Sequence, residues 1–307
     1  MKTLVTGGAG FIGHHLVRSL LERGDEVVVL DDFSTGSHER LRPFGDRVRV
    51  VEGSILEAAH LDDAAAGCDT IFHEAALASV ERSFVDPSLT NAVNVSGTIE
   101  VVLAAARQQV RRIVLAASSS VYGVPATLPC QESMRPMPES PYGVSKLASE
   151  YYLHTLGQRL GIETVALRYF NVFGPGQDPD SDYAAVIPLF ITAVLQDRQP
   201  TINGDGGISR DFTYVDNVVA ANLLAAEARD ISGATMNVAC GERTSLLELL
   251  DAICDVAGVT MEPVFGPPRV GDIQHSLADI SVARAALGYD VAVGFREGIA
   301  RTFEWYR

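Results

Sequence analysis

The chain's most constraining feature stands at its start. A short apolar run at residues 3–6 passes straight into Gly7-Gly8-Ala9-Gly10-Phe11-Ile12-Gly13, and then into a helical pattern through Arg18 and Leu21. Glycine at Gly7, Gly10 and Gly13 lets the backbone turn sharply and lets a pyrophosphate approach it closely. Free N–H groups and the positive dipole end of the following helix would hold that anion. A strand, a glycine turn and a helix in this order open a parallel sheet, and the first half of the chain agrees. Runs at 26–30, 48–51, 70–73 and 112–117 read as strands, separated by stretches rich in Ala, Leu and charge. They are apolar almost throughout, as strands are when helices cover both faces. A helix at 141–160 and a strand at 163–167 follow.

After Tyr169 the texture changes to the loop-rich stretch FNVFGPGQDPDSDY. Beyond it, helices are expected near 184–196, 216–228, 245–257 and 295–305, with short strands near Thr201 and 236–239. The expected architecture is therefore α/β. A Rossmann doubly wound sheet occupies residues 1–170, with later segments returning to it near 210–240. A smaller mixed α/β domain at 171–307 binds the substrate.

Composition excludes several functions. With 47% hydrophobic residues in 307, the chain can bury a sizeable core. Its formal charge of −15 argues against nucleic acid or an anionic membrane surface as partner, because both are held through basic patches. The four cysteines, Cys68, Cys130, Cys240 and Cys254, lack metal-ligand spacing and read as free thiols in a reducing compartment, with no metal expected. No leader pattern opens the chain and no apolar run reaches about 18 residues, so a cytoplasmic location without membrane contact is expected.

Two further features carry chemistry. Lysine occurs only at Lys2 and Lys146, and every other basic residue among the 24 Lys and Arg is arginine. Lys146 stands four residues after Tyr142, on one face of the expected helix. An ammonium there can favour the phenolate, the requirement for a tyrosine acting as acid and base near neutral pH. The second feature is Asp31-Asp32, closing the second strand some 18 residues after Gly13. A carboxylate at that place accepts from an adenosine ribose diol and repels a 2′-phosphate, which favours NAD over NADP.

GGAGFIG, DDFSTG, SSSVYG and YGVSK in this order, with RYFNVFGPGQDP, SRDFTYVDNVV and GDIQHSLADIS later, give a chain that resembles the extended short-chain dehydrogenase/reductase family end to end. Within it the resemblance is to the nucleotide-sugar 4-epimerases. It implies that Tyr142 takes the proton of a sugar 4-hydroxyl, that Lys146 lowers the tyrosine's pKa and binds the nicotinamide ribose, and that Ser118 shares the hydrogen bond, with Ser119 as the fallback. It implies NAD held by Gly7, Gly10, Phe11, Ile12, Gly13, Asp31, Asp32, Ser34, Thr35, Gly36, Ile55, Ala75, Ala76, Asn94, Ala116, Tyr142, Lys146 and Tyr169. Ser54 stands where the family usually has an Asp for the adenine amino group.

The resemblance also assigns the substrate side. Arg210 and Arg269 would clamp a diphosphate, Asn171 would contact diphosphate and sugar, and Asp272 would hold a ribose. Ile202 and Asn203 would lie beside uracil, with Ala185 and Val186 bordering the nucleotide and Ser120 touching the sugar. Ala78 replaces a Lys of some galactose epimerases. Ser276 replaces a bulky gate tyrosine, leaving room for an N-acetyl group. Related dehydratases and decarboxylases carry carboxylates where this chain has Ser119 and Ser120, and hydroxyls cannot do that acid/base work at neutral pH.

The expected activity is inversion at C4 of a UDP-sugar through a transient 4-keto form, for UDP-Glc/UDP-Gal, UDP-GlcNAc/UDP-GalNAc or both. UDP-uronic acid 4-epimerisation and a non-catalytic NAD-binding scaffold remain as alternatives. The resemblance further implies a homodimer joined through the helices at 87–108 and 141–160.

Overall fold

A computed structural model describes residues 1–179, 185–268 and 273–307. Its centre is a seven-stranded, wholly parallel sheet: β1 Lys2–Thr6, β2 Glu26–Asp31, β3 Val48–Glu52, β4 Thr70–His73, β5 Arg112–Ser118, β6 Glu163–Tyr169 and β7 Ala234–Val238. The spatial order is β7-β6-β5-β4-β1-β2-β3. The chain thus leaves β1 towards β2 and β3, then returns to build outward through β4. This reversal beside β1 is the switch point at whose carboxyl end a doubly wound sheet opens a crevice.

Alternation along the strands covers both faces. Val5, Val29, Phe72 and Val114 face Leu16, Val17 and Leu20 of the Phe11–Arg23 helix, together with Val218 and Ala221 of the Val215–Glu227 helix. Leu4, Val28, Ile71 and Leu115 face Leu61, Val101, Ala104 and Leu153 on the other side. A third core joins Phe173, Phe190, Ile191, Phe212, Leu249, Ile253 and Phe303 beyond the carboxyl edge. The crevice lies between that lobe and the sheet.

Most expected elements form, with instructive differences at their ends. The Pro141–Leu160 helix has the expected bounds because both ends are signalled: Ser140 accepts from Gly143 N, proline opens the first turn and left-handed Gly161 closes the last. β5 runs on to Ser118 and β6 to Tyr169, further than their apolar runs, because the two strands stay in register up to the pair Ser118–Tyr169. β7 returns to the sheet from the second half of the chain, over 234–238 rather than 236–239, and pairs with β6. The stretch Pro87–Arg107 is helical throughout but contains a π segment at Ala92–Ser96. By length and composition it could cross a membrane, yet half of its apolar window is buried within the fold.

Candidate active site

The glycine turn is as tight as its residue types demand. Gly7 has φ +70°, and a Cβ there would come within 2.7 Å of the Ala75 backbone. A Cβ on Gly13 would meet the Gly7 carbonyl at 2.1 Å. The Phe11–Arg23 helix starts directly from Gly10 with no side-chain cap, so its first N–H groups face the crevice. This cradle fits a pyrophosphate, and the cleft around it has a volume of about 720 Å³.

Along the cleft, Gly7, Gly10, Phe11, Ile12 and Gly13 form the middle. Asp31, Asp32, Ser34, Thr35, Ser54 and Ile55 line the side towards β2 and β3. Ala75, Ala76, Ala116, Tyr142, Lys146 and Tyr169 line the side towards β4, β5 and β6. Asp31 braces the turn, accepting from Ala9 N at 2.9 Å and Phe33 N at 2.8 Å, and burial pushes its carboxyl up despite those bonds. A dinucleotide therefore fits the residues present.

Two expected cofactor contacts, Gly36 and Asn94, stand off the cleft lining. Gly36 packs against the turn, where a Cβ would meet Asp31 Oδ1 at 2.8 Å. Asn94 is buried under the loop after β4: its Oδ1 accepts from Leu77 N, and its Nδ2 donates to Leu77 O and Ser145 Oγ. It braces the cleft wall instead of facing the cleft. Ala78 lines the cofactor side.

At the end of β5 the chemistry-bearing groups converge. The Tyr142 phenol stands beside Ser118. Ser118 Oγ accepts from Ser120 N at 3.2 Å and Ser120 Oγ at 2.9 Å, capping the short turn Ser119–Tyr122. Burial raises the phenol's pKa, and the Ser118 side chain opposes that rise. Lys146 is only 5% exposed and donates from Nζ to Ala116 O at 2.8 Å. Burial lowers its pKa to about 8, against the pull of Glu74 and Glu150. The lysine is held on the β5 carbonyl, one helical turn from Tyr142.

A second cavity opens beside this point, lined by Asn171, Ala185, Val186, Asn203 and Arg210. Asn171 takes the left-handed conformation, φ +34°, and donates to Asp211 O. Ile202 is fully buried in the third core, so Asn203 alone of that pair is on the cavity wall. Ser276 N donates to Ser209 O at 3.0 Å, next to Arg210. Arg269 and Asp272 lie outside the described residues.

The sequence reading missed three residues. Glu74 follows β4 directly, lines the cofactor side and accepts from Tyr169; a carboxylate immediately after the strand Thr70–His73 was its signal. Arg40 ties the glycine turn to the second lobe, donating to Ala9 O and Gly176 O. Asp211, 0% exposed, accepts from Cys240 N, Gly241 N and Ala278 N and so knots three segments behind the second cavity. Neither of the last two had a sequence signal. Among the described residues no cluster of His, Cys, Asp or Glu is arranged to hold a metal.

Comparison with known proteins agrees with this geometry. The sequence profile of the NAD dependent epimerase/dehydratase family matches residues 3–239. The chain is 41% identical over 312 residues to the UDP-glucose 4-epimerase of Mycolicibacterium smegmatis, covering 100% of this chain and 99% of that protein. Among solved structures, the UDP-N-acetylglucosamine 4-epimerase from Methanobrevibacter ruminantium in complex with UDP-N-acetylmuramic acid superposes with a TM-score of 0.95 at 37% identity, over 99% and 97% of the two chains. The Thermotoga maritima UDP-glucose 4-epimerase with UDP-glucose gives 0.95 at 35%, over 100% and 99%.

Proposed function

The chain belongs to the NAD dependent epimerase/dehydratase family, and from that premise we propose that it is an NAD-dependent UDP-sugar 4-epimerase acting on UDP-Glc/UDP-Gal and UDP-GlcNAc/UDP-GalNAc. The observation that carries the proposal is the placing of Tyr142 beside Ser118 and one helical turn from the buried Lys146, on the wall of the cleft that holds the glycine turn.

NAD would lie along Gly7–Gly13, Asp31, Lys146 and Tyr169, and when bound it supplies reversible hydrogen acceptance at C4. Tyr142 removes the 4-hydroxyl proton in the forward step and returns one after the sugar has presented its other face. Ser118, beside the phenol, favours its ionised form. Lys146 keeps a positive charge beside that end of the cleft up to about pH 8. Serines at 119 and 120 offer no carboxylate for elimination at C5 and C6, so the site ends its work at C4.

The substrate pairs follow from the second cavity. Its volume of about 710 Å³ and the small Ser276 beside Ser209 support acceptance of the N-acetyl group. Arg210 and Asn171 supply the donors a diphosphate requires. Offering each UDP-sugar in turn and reading products by NMR tests the assignment, with both pairs interconverted; Ser276→Tyr should keep the hexose pair and lose the N-acetylhexosamine pair.

The same reading includes a cytoplasmic homodimer. Leu89 on the Pro87–Asn91 helix and Val144, Tyr151 and Tyr152 on the Pro141–Leu160 helix expose apolar surface, which supports packing of these helices between two copies. All four cysteines are free thiols, in keeping with a reducing compartment. Light scattering tests the dimer.

A further inference from the structure

Besides the glycine turn, the cofactor cleft is lined by Gln177 and Asp178, at the end of the loop that follows the short strand Val172–Phe173. Three successive carbonyls of that loop are each held by a side chain from a different element. Pro175 O accepts from His15 Nε2 at 2.8 Å, Gly176 O from Arg40 Nη2 at 2.8 Å, and Gln177 O from the Tyr306 hydroxyl. His15 lies on the Phe11–Arg23 helix, Arg40 on the short helix His38–Leu41 and Tyr306 at the end of the Phe295–Tyr306 helix.

Two of these holds are fixed from behind. Arg18 Nη2 is 3.0 Å from His15 Nδ1, and because a guanidinium only donates, the histidine carries its proton on Nε2, where the Pro175 carbonyl accepts it. The Arg40 guanidinium is a bridge: Nη1 donates to Ala9 O at 3.2 Å while Nη2 donates to Gly176 O. Ala9 belongs to the glycine turn, and its carbonyl also accepts from Ser37 N at 3.1 Å, so the segment carrying Arg40 is seated on that turn. Arg40 itself lines the cofactor cleft. The loop it holds reaches the second cavity as well, whose wall includes Gln177.

We propose that Arg40 is the latch of the cofactor cleft: its guanidinium joins the glycine turn to the 174–178 loop and so sets how fast a bound dinucleotide leaves. A cofactor that takes up hydrogen and returns it within one turnover has to stay in place while reduced, and slow release secures this. The flat arginine fork reaches two carbonyls on separate segments at once, which the point charge of a lysine does not. Arg40 acts through retention and touches no reacting atom.

The inference rests on the NAD reading of the cleft, and its test requires no epimerase turnover. Protein loaded with NADH is mixed with excess NAD, and the decay of bound-cofactor fluorescence gives the release rate. Arg40→Lys keeps the charge and loses the bridge, so release should be about 10-fold faster, the loss of one charge-assisted hydrogen bond. Tyr306→Phe frees the same loop from a residue outside the cleft lining and should also speed release. Arg23→Lys weakens the pair with Glu227 at the far end of the Phe11–Arg23 helix and should leave the rate unchanged. Wild-type release from Arg40→Lys would mean that charge alone retains the cofactor, and equal acceleration in Arg23→Lys would mean general loosening. Either result overturns the proposal, as does wild-type release from Tyr306→Phe. Protein that takes up no NADH contradicts the cofactor assignment and removes the latch with it, a result distinct from NADH bound and released at one common rate.

Discussion

Ser118, the last residue of β5, stands beside the phenol of Tyr142 in the first turn of the Pro141–Leu160 helix. Its side chain opposes the effect of burial on the phenol, so the two residues should separate kinetically. Tyr142→Phe removes the proton carrier and should lower kcat about 100- to 10,000-fold, with bound NAD retained. Ser118→Ala leaves the carrier but raises its pKa, which should shift the pH optimum of kcat upward. Steady-state assays across pH, with cofactor content read by absorbance after denaturation, check both.

Cofactor retention should depend on backbone closeness at Gly7. Gly7→Ala would place a methyl group within 2.7 Å of the Ala75 backbone at a positive φ, in the middle of the cleft. Main chain cannot yield as a flexible side chain can. The purified variant should carry little NAD, while Gly294→Ala, with open space around its Cβ position and extended backbone, should carry as much as the wild type.

Behind the site, Arg168 and Glu150 form a buried pair, and Arg168 also donates to Tyr122 OH. Removing one member leaves the other charge without its partner. Arg168→Leu should destabilise the fold by about 3–5 kcal/mol in urea unfolding, and Glu150→Gln added to it should recover part of the loss.

Asp211 predicts a pH slope in stability. Burial lifts its carboxyl to about 7, although three backbone N–H groups favour the ionised form. The folded pKa lies above the unfolded one, so the protonated folded state binds a proton that the unfolded chain releases. This contribution is complete below the unfolded value near 3.8 and is lost as pH rises through about 7. Between those limits it should reduce stability by at most about 1.4 kcal/mol per pH unit. Asp211→Asn should be less stable, since one amide oxygen cannot serve three donors, and should lack this component of the slope.

How much of this was legible in the chain differs by residue. Thr3–Thr6 with its glycines, and the helix between Ser140 and Gly161, carry local signals: apolar runs, a cap, a proline and residues able to take unusual φ. Tyr142 and Lys146 declare themselves by spacing on that helix. The pairing of β7 with β6 depends on packing between distant segments, and the two-residue pair Val172–Phe173 with Thr213–Tyr214 is too short for periodicity to register. Asp211, an acid between Arg210 and Phe212, reads as surface and is fully buried because three backbone donors from two distant segments meet it. Asn94 matched a family position, yet the π segment at Ala92–Ser96 directs it into Leu77 and Ser145. Such placements arise from tertiary contacts that no local pattern encodes.

The account's central claim is that Tyr142 manages only the hydroxyl proton while the hydrogen on C4 leaves and returns without meeting water. The direct measurement is conversion of unlabelled UDP-glucose in D2O, with deuterium at C4 of the product read by NMR. The account predicts UDP-galactose with its C4 hydrogen retained, formed by the wild type and lost with Tyr142→Phe. Deuterium at C4, or no 4-epimer from any UDP-sugar, would contradict it.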